Sequence, residues 1–204
     1  MAVKTFTVGE DLTASLTNTY LANAGLVAVS PTSVTSGSIV SGTATATANA
    51  AVSSIVLNGV FSSTYESYRL VISNLTMSNT GTGTSVYVKM HDGTNPASTN
   101  YNWGFARIDI AASTIGGPAQ ALGTNGILIG RGTGDKFGTS IDIVNPQLAT
   151  HTLFPQISAV NVSTGYMWIG AGMHQTSTAY TGIQILVDTG TMTGGSFTVY
   201  GYRR

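Results

Sequence analysis

Three histidines and eight carboxylates are all that the chain offers for acid–base or metal chemistry: His91, His151 and His174, with Glu10, Asp11, Glu66, Asp92, Asp109, Asp135, Asp142 and Asp188. Catalysis needs several such groups converging on one point. A His91–Asp109–Ser arrangement would give a hydroxyl nucleophile with a base behind it. Residues scattered on strands in this way usually face solvent or bond to turns, so no triad is expected. Asp109 and Asp142, each followed by isoleucine, would supply two carboxylates of the kind that cleave a glycosidic bond,. Alternate outward positions on two strands are the plainer expectation. Asp92-Gly93-Thr94-Asn95 holds one carboxylate among neutral oxygens, a weak set for calcium, whereas Asp-Gly is a common turn pair. The stretch from Gly130 to Gly138 departs from a phosphate-binding loop, because Asp135 separates Gly134 from Lys136 and a strand follows where a helix should,. It reads as a contact loop.

The chain has no cysteine, which removes disulfides, thiolate metal sites and thiol nucleophiles together and fits synthesis in a reducing cytoplasm,. No HExxH, GxSxG or EF-hand pattern occurs. The expectation is a non-enzyme with no cofactor and no metal. Aromatic residues carry more information. Tyr101 with Trp103, and Tyr166 with Trp168, stand two apart, on one face of a strand each,. Such pairs fill sandwich cores, and core packing is the first expectation. The alternative is a receptor-facing platform for sugar or protein, which aromatic rings suit because they bury large area with little loss of side-chain freedom. Two glycosylation sequons, at Asn74 and Asn161, have no secretory signal to make them meaningful,.

Composition narrows the partners. Charged residues are 8% of the 204 and the formal net charge is zero, against about 25% charged in an ordinary soluble domain. Without clustered Lys and Arg, neither nucleic acid nor an anionic membrane is an expected partner. Low charge also favours self-association. No run has the length of a signal peptide or membrane helix.

Placing these residues requires strands. Alternation of apolar and polar residues with β-branched enrichment predicts strands over 53–60, 67–73, 85–91, 102–110, 126–130, 140–144, 152–160, 166–174, 181–187 and 195–202,. The polar stretch Asn74 to Thr84 is expected to turn on the surface. About ten strands at this spacing imply an all-β fold, an antiparallel, jelly-roll-like β-sandwich over residues 28–204. Residues 1–27 form a separate arm. In it Leu12, Leu16 and Tyr20 recur every four residues, predicting a short helix begun by Thr13 and ended near Asn23 and Gly25,. The Ser/Thr/Ala-rich segment from Ser30 to Ala51 reads either as a strand, with Thr43–Ala48 alternating, or as a flexible linker.

Both ends of the chain then carry a likeness. Lys4-Thr5-Phe6-Thr7-Val8-Gly9-Glu10-Asp11-Leu12-Thr13-Ala14-Ser15, continued by Asn18-Thr19-Tyr20-Leu21, resembles the opening of small tailed-bacteriophage virion structural proteins, FTxGExLTAS…NTYL. Phe61 to Leu70 looks like their first sandwich strands. Thr193-Gly194-Gly195-Ser196-Phe197-Thr198-Val199-Tyr200-Gly201-Tyr202-Arg203 is similar to their closing TGGxxxVYGYR. The resemblance implies a head-decoration or minor-tail role on the virion and no catalytic residue. On this reading the chain is a capsid decoration or cement protein, a homotrimer on the capsid exterior. Its arm grips the major capsid protein, a tail protein or a neighbouring subunit through Phe6, Leu12, Leu16, Tyr20 and Leu21. The alternative is a tail or head fibre that meets a host-surface glycan.

Overall fold

A computed structural model describes residues 25–79, 84–109, 112–132, 136–160 and 166–202. Among them the chain forms sixteen strands, numbered here in chain order, and no helix. The large sheet runs β10 (Ala119–Gly123), β8 (Tyr101–Asp109), β14 (Tyr166–His174), β13 (Thr152–Val160), β12 (Phe137–Val144), β6 (Ser67–Met77), β16 (Met192–Tyr202), β4 (Thr45–Ala48), β3 (Gly37–Ile39). Two short strands flank that path: β1 (Leu26–Val29) on β16 and β9 (Thr114–Gly116) on β8. The small sheet runs β11 (Ile127–Gly132), β7 (Thr84–His91), β15 (Gly182–Val187), β5 (Ser54–Asn58), β2 (Ser33–Thr35). All pairings are antiparallel.

The sheets pack face to face as a β-sandwich, with strands divided unevenly, eleven and five. At one end β11 lies against β13, β12, β14 and β8; at the other β2 lies against β3, so the long sheet spans and wraps the short one. One apolar core lies between them. Tyr68, Leu70 and Ile72 of β6, Phe137 and Ile141 of β12, and Phe197 of β16 meet Ile55, Val88, Met90 and Ile185 of the small sheet. Alternation puts them there: β12 is buried at every second position, Phe137, Thr139, Ile141 and Ile143,.

All ten expected strands are present, several of them longer than the sequence suggested. The correction at Asn74 is the instructive one. The expected turn beginning there is instead the last third of β6, because Asn74 adopts a φ of 52° and a bulge absorbs it,. The register with β12 shifts between Phe137 and Thr139, which face Leu75 and Ile72. The extra residue restores phase, so Leu75 and Met77 stay buried where strict alternation would have pointed Asn74 and Thr76 inward,. Opposite, β16 is irregular between Gly194 and Ser196, and Gly195 sits at φ 129°, where a side chain is strained,.

Other boundaries move as well. Gly130–Gly132 and Phe137–Gly138, expected in a loop, belong to β11 and β12. The Ser30–Ala51 segment is β2, β3 and β4, which corrects the linker alternative and upholds the strand at Thr45–Ala48. Leu26 and Val27, placed in the arm, pair with Tyr202 and Gly201. The expected helix, with Phe6, Leu12, Leu16, Tyr20 and Leu21, lies outside the described residues.

Behind the C-terminal strand sits an aromatic knot. The Tyr68 hydroxyl donates to the Ser62 carbonyl at 2.8 Å and accepts from the Ser62 amide at 2.7 Å, pinning the chain that leads into β6. Phe61 and Tyr65 pack edge-on to the Tyr68 ring, with centroids 4.8 and 5.8 Å away. Gly201 completes the fit, since a Cβ there would overlap the Tyr65 ring. Gly201→Ala should therefore lower unfolding stability by about 1–3 kcal/mol, the usual cost of overpacking. The midpoint of urea unfolding checks it, and an unchanged midpoint would mean that the ring moves aside freely.

Candidate functional site

The groups weighed for chemistry, His91, Asp92, Asp109 and Asp142, are dispersed and already engaged. His91 ends β7 and is buried, its Nδ1 accepting the Gly93 amide at 3.1 Å. Asp92 accepts the amides of Thr94 and Asn95, both at 2.7 Å, closing a turn. Those two bonds, Asn95 first, hold its carboxyl below the ordinary value,. Asp109 accepts the Ala112 amide at the far end of β8, about 25 Å along the strand from the end that meets His91,. Two strands, β14 and β13, separate β8 from β12, so Asp109 and Asp142 stand at least three strand spacings apart, about 14 Å,. Neither the triad nor the carboxylate pair is assembled. Among the described residues no three His, Asp or Glu side chains gather where a metal could sit, and no helix there is long and apolar enough to cross a membrane.

Three of the four aromatic residues considered for a receptor platform point inward. Tyr101 is fully buried, Trp103 is 9% exposed and Trp168 3%, so they offer no face to a ligand; the Tyr166 side chain lies outside the described part. The receptor-facing expectation for these three is corrected to core packing. The cause is parity: Tyr101, Trp103 and Phe105 share the inner face of β8, and Trp168 shares that of β14. Phe105 joins them, with centroids 5.6 Å from Trp103 and 6.0 Å from Trp168. Neither indole N–H has an acceptor, so ring packing alone holds the cluster.

Tyr101 also ties the two sheets. Its hydroxyl accepts the Met90 amide of β7 at 3.0 Å and donates to the Ala97 carbonyl at 3.2 Å, while burial pushes its own ionisation upward. Against its ring, at 4.4 Å, lies His174, with Tyr180 on the other side at 5.4 Å. A carbonyl only accepts, so the 3.0 Å contact to the Thr99 oxygen fixes the proton on Nε2,. Nδ1 is then buried without a partner.

The outer face of the large sheet is of two kinds. Over β12, β6 and β16 it is polar. Arg69 forks onto Asp142, Nε to Oδ1 at 2.7 Å and Nη2 to Oδ2 at 2.9 Å. Tyr202 donates to the same Oδ1 at 2.6 Å, and the guanidinium lies 5.5 Å from its ring centre. The Arg69 bonds hold the Asp142 carboxyl low, while burial and the carboxylate push the Tyr202 phenol up to about 12,. Thr45 and Thr198 share a 2.8 Å hydroxyl bond alongside.

Over β13, β14 and β8 the same face is apolar and open. Leu153 pairs with Met173, and Pro155 with Ala171, which pairs in turn with Gly104. Ile169 faces Ala106, and Met167 faces Ile108, which pairs with Ile115 of β9. Leu153, Met167, Ile169 and Ile115 are 42%, 38%, 45% and 77% exposed. No Asp, Glu, Lys or Arg occupies any of these positions. This surface is the candidate functional site.

No relative names it. No family model matches the chain, and neither a curated protein nor a solved structure matches it. Sequence reasoning passed over the face although a signal existed. Along Met167-Trp168-Ile169-Gly170-Ala171-Gly172-Met173, both alternating sets lack charge and polarity, which marks a strand with two apolar sides,.

The buried histidines predict the acid response. Burial holds His174 and His91 below the ordinary value of 6.5, so the unfolded chain takes up protons at a higher pH than the folded one,. Stability should be full above 6.5 and fall as the pH drops through 6.5 towards the lowered folded values. Unfolding midpoints measured from pH 7.5 to 5 should decline, by up to about 1.4 kcal/mol per unit of displaced pKa. In His174→Phe the decline should be smaller even if the protein starts out less stable. A slope identical to wild type would remove His174 from this role.

Proposed function

We propose that this chain is a structural protein of a tailed-bacteriophage particle, a decoration protein on the outside of the capsid. The observation that carries the reading is a broad uncharged half of a sheet face on a two-sheet sandwich in which His91 and Asp92 serve a turn, His174 packs in the core and Asp142 pairs with Arg69. A protein with 8% charged residues and no net charge joins an assembly through apolar and main-chain contacts, not by electrostatic steering,. The likeness of both chain ends to phage virion proteins points the same way. Its closing motif, from Thr193 to Tyr202, lies in β16, which pairs with β6, β4 and β1. The role is mechanical, adding buried interface to a shell under pressure from packaged DNA.

Attachment is assigned to the N-terminal arm, with Phe6, Leu12, Leu16, Tyr20 and Leu21 as the contacts to major capsid protein. Receptor binding by a fibre has less support, because Tyr101, Trp103 and Trp168 are buried. The test is binding of purified protein to shells that lack it. Wild type should sediment with the shells. The double variant Leu16→Asp, Tyr20→Asp should stay in the supernatant with an unchanged thermal transition. Wild-type protein that binds no shell would overturn the reading, and unfolding of the double variant would return the arm to the core.

A further inference from the structure

We infer that the apolar half of the large sheet's outer face is where two copies of this chain meet, face to face about a two-fold axis. The geometry is an area four strands wide, from β13 through β14 and β8 to β9 and β10, and four residues deep along β14, where Met167, Ile169, Ala171 and Met173 share the outward face. At about 4.8 Å per strand and about 6.8 Å per row, that is on the order of 500 Å² per copy. That is about the largest apolar patch a typical monomer carries, and such patches are often functional. It contrasts with the rest of the same sheet: on the next three strands, β12, β6 and β16, Asp142, Arg69 and Tyr202 show that this outer face carries charge where it meets water.

The occupant follows from charge. Any partner that set an Asp, Glu, Lys or Arg against these rows would bury it unpaired, at a cost of several kcal/mol. The matching surface must be uncharged and largely apolar over the same area, with Asn102 beside Met173 as its one amide, and a second copy supplies one by construction. A two-fold contact is self-complementary in this sense. A lipid surface is a poorer match, since interfacial binding leans on Lys and Arg around the apolar face, and the chain has 8 of them in 204 residues. Two faces together bury roughly 1,000 Å², at the low end for specific interfaces, so the pair forms reversibly. On a particle that holds many copies close together, local concentration offsets that weakness.

This contact stands apart from the virion reading and is tested on the isolated protein. A dimer that binds no shell, or a monomer that does, tells the two apart. Sedimentation velocity across a concentration series should show wild type passing from monomer to dimer. Ile169→Lys should raise the dissociation constant at least about tenfold, with far-UV circular dichroism and unfolding midpoint unchanged, and Ser73→Lys on the polar half, two strands from β13, should not. Mixing Ile169→Lys with Ile169→Glu should restore association, since a positive face then meets a negative one, an outcome that mere misfolding cannot produce. Wild type that stays monomeric at high concentration, or that forms a trimer, overturns the proposal. So does binding of the monomer to phosphatidylcholine vesicles.

Discussion

Everything in this fold hangs on β6 and its two neighbours. Its eleven residues pair with β12 on one side and β16 on the other, and its inward side chains form the floor of the core. A strand that long drifts out of phase with a curved partner sheet unless something corrects it. The Asn74 bulge is that correction: it spends one residue at positive φ so that Leu75 and Met77 stay buried,. Gly195 lets β16 follow the same irregularity. Because β16 is also the platform for β1 and β4, the two ends of the described chain close the sheet together. Such long-range pairing implies slow folding.

Charge poverty shapes the rest. With few ionic groups, polar satisfaction falls to backbone ladders, hydroxyls and a handful of specific bonds. Tyr68 to Ser62 pins the entry to β6, Tyr101 to Met90 ties the two sheets, and Asp142 to Arg69 and Tyr202 joins three strands far apart in the chain. Exposed ion pairs add little to stability, so the Arg69–Asp142 fork matters more for keeping that half of the outer face wetted. The other half has no such device. The core lies between the inner faces, and the apolar outer rows are not part of it.

The strands with clean alternation were legible in the sequence, β15 and the second half of β12 among them, because period two against a single core leaves little choice,. Short edge strands were not. β2, β3 and β9 have three residues each, too few for a period to show. Asn74 read as a turn because local propensity says so, and the bulge that overrides it depends on a partner strand more than a hundred residues away. The aromatic pairs were rightly placed on single strand faces. Which face was inward could not be read from Tyr101 and Trp103 alone, since it depends on β11 covering that end of the sheet. The open apolar face was hidden for a related reason: two-sided apolar strands look like core until the second layer is found missing.

The central claim is that this sandwich is a repeated part of a phage shell. Copy number per purified virion, measured by quantitative mass spectrometry against the major capsid protein, tests it most directly. The account predicts copies on the order of hundreds, a fixed ratio to the capsid lattice as symmetric assembly demands. A few copies per particle would place the chain at a tail or vertex, and none would contradict the account outright.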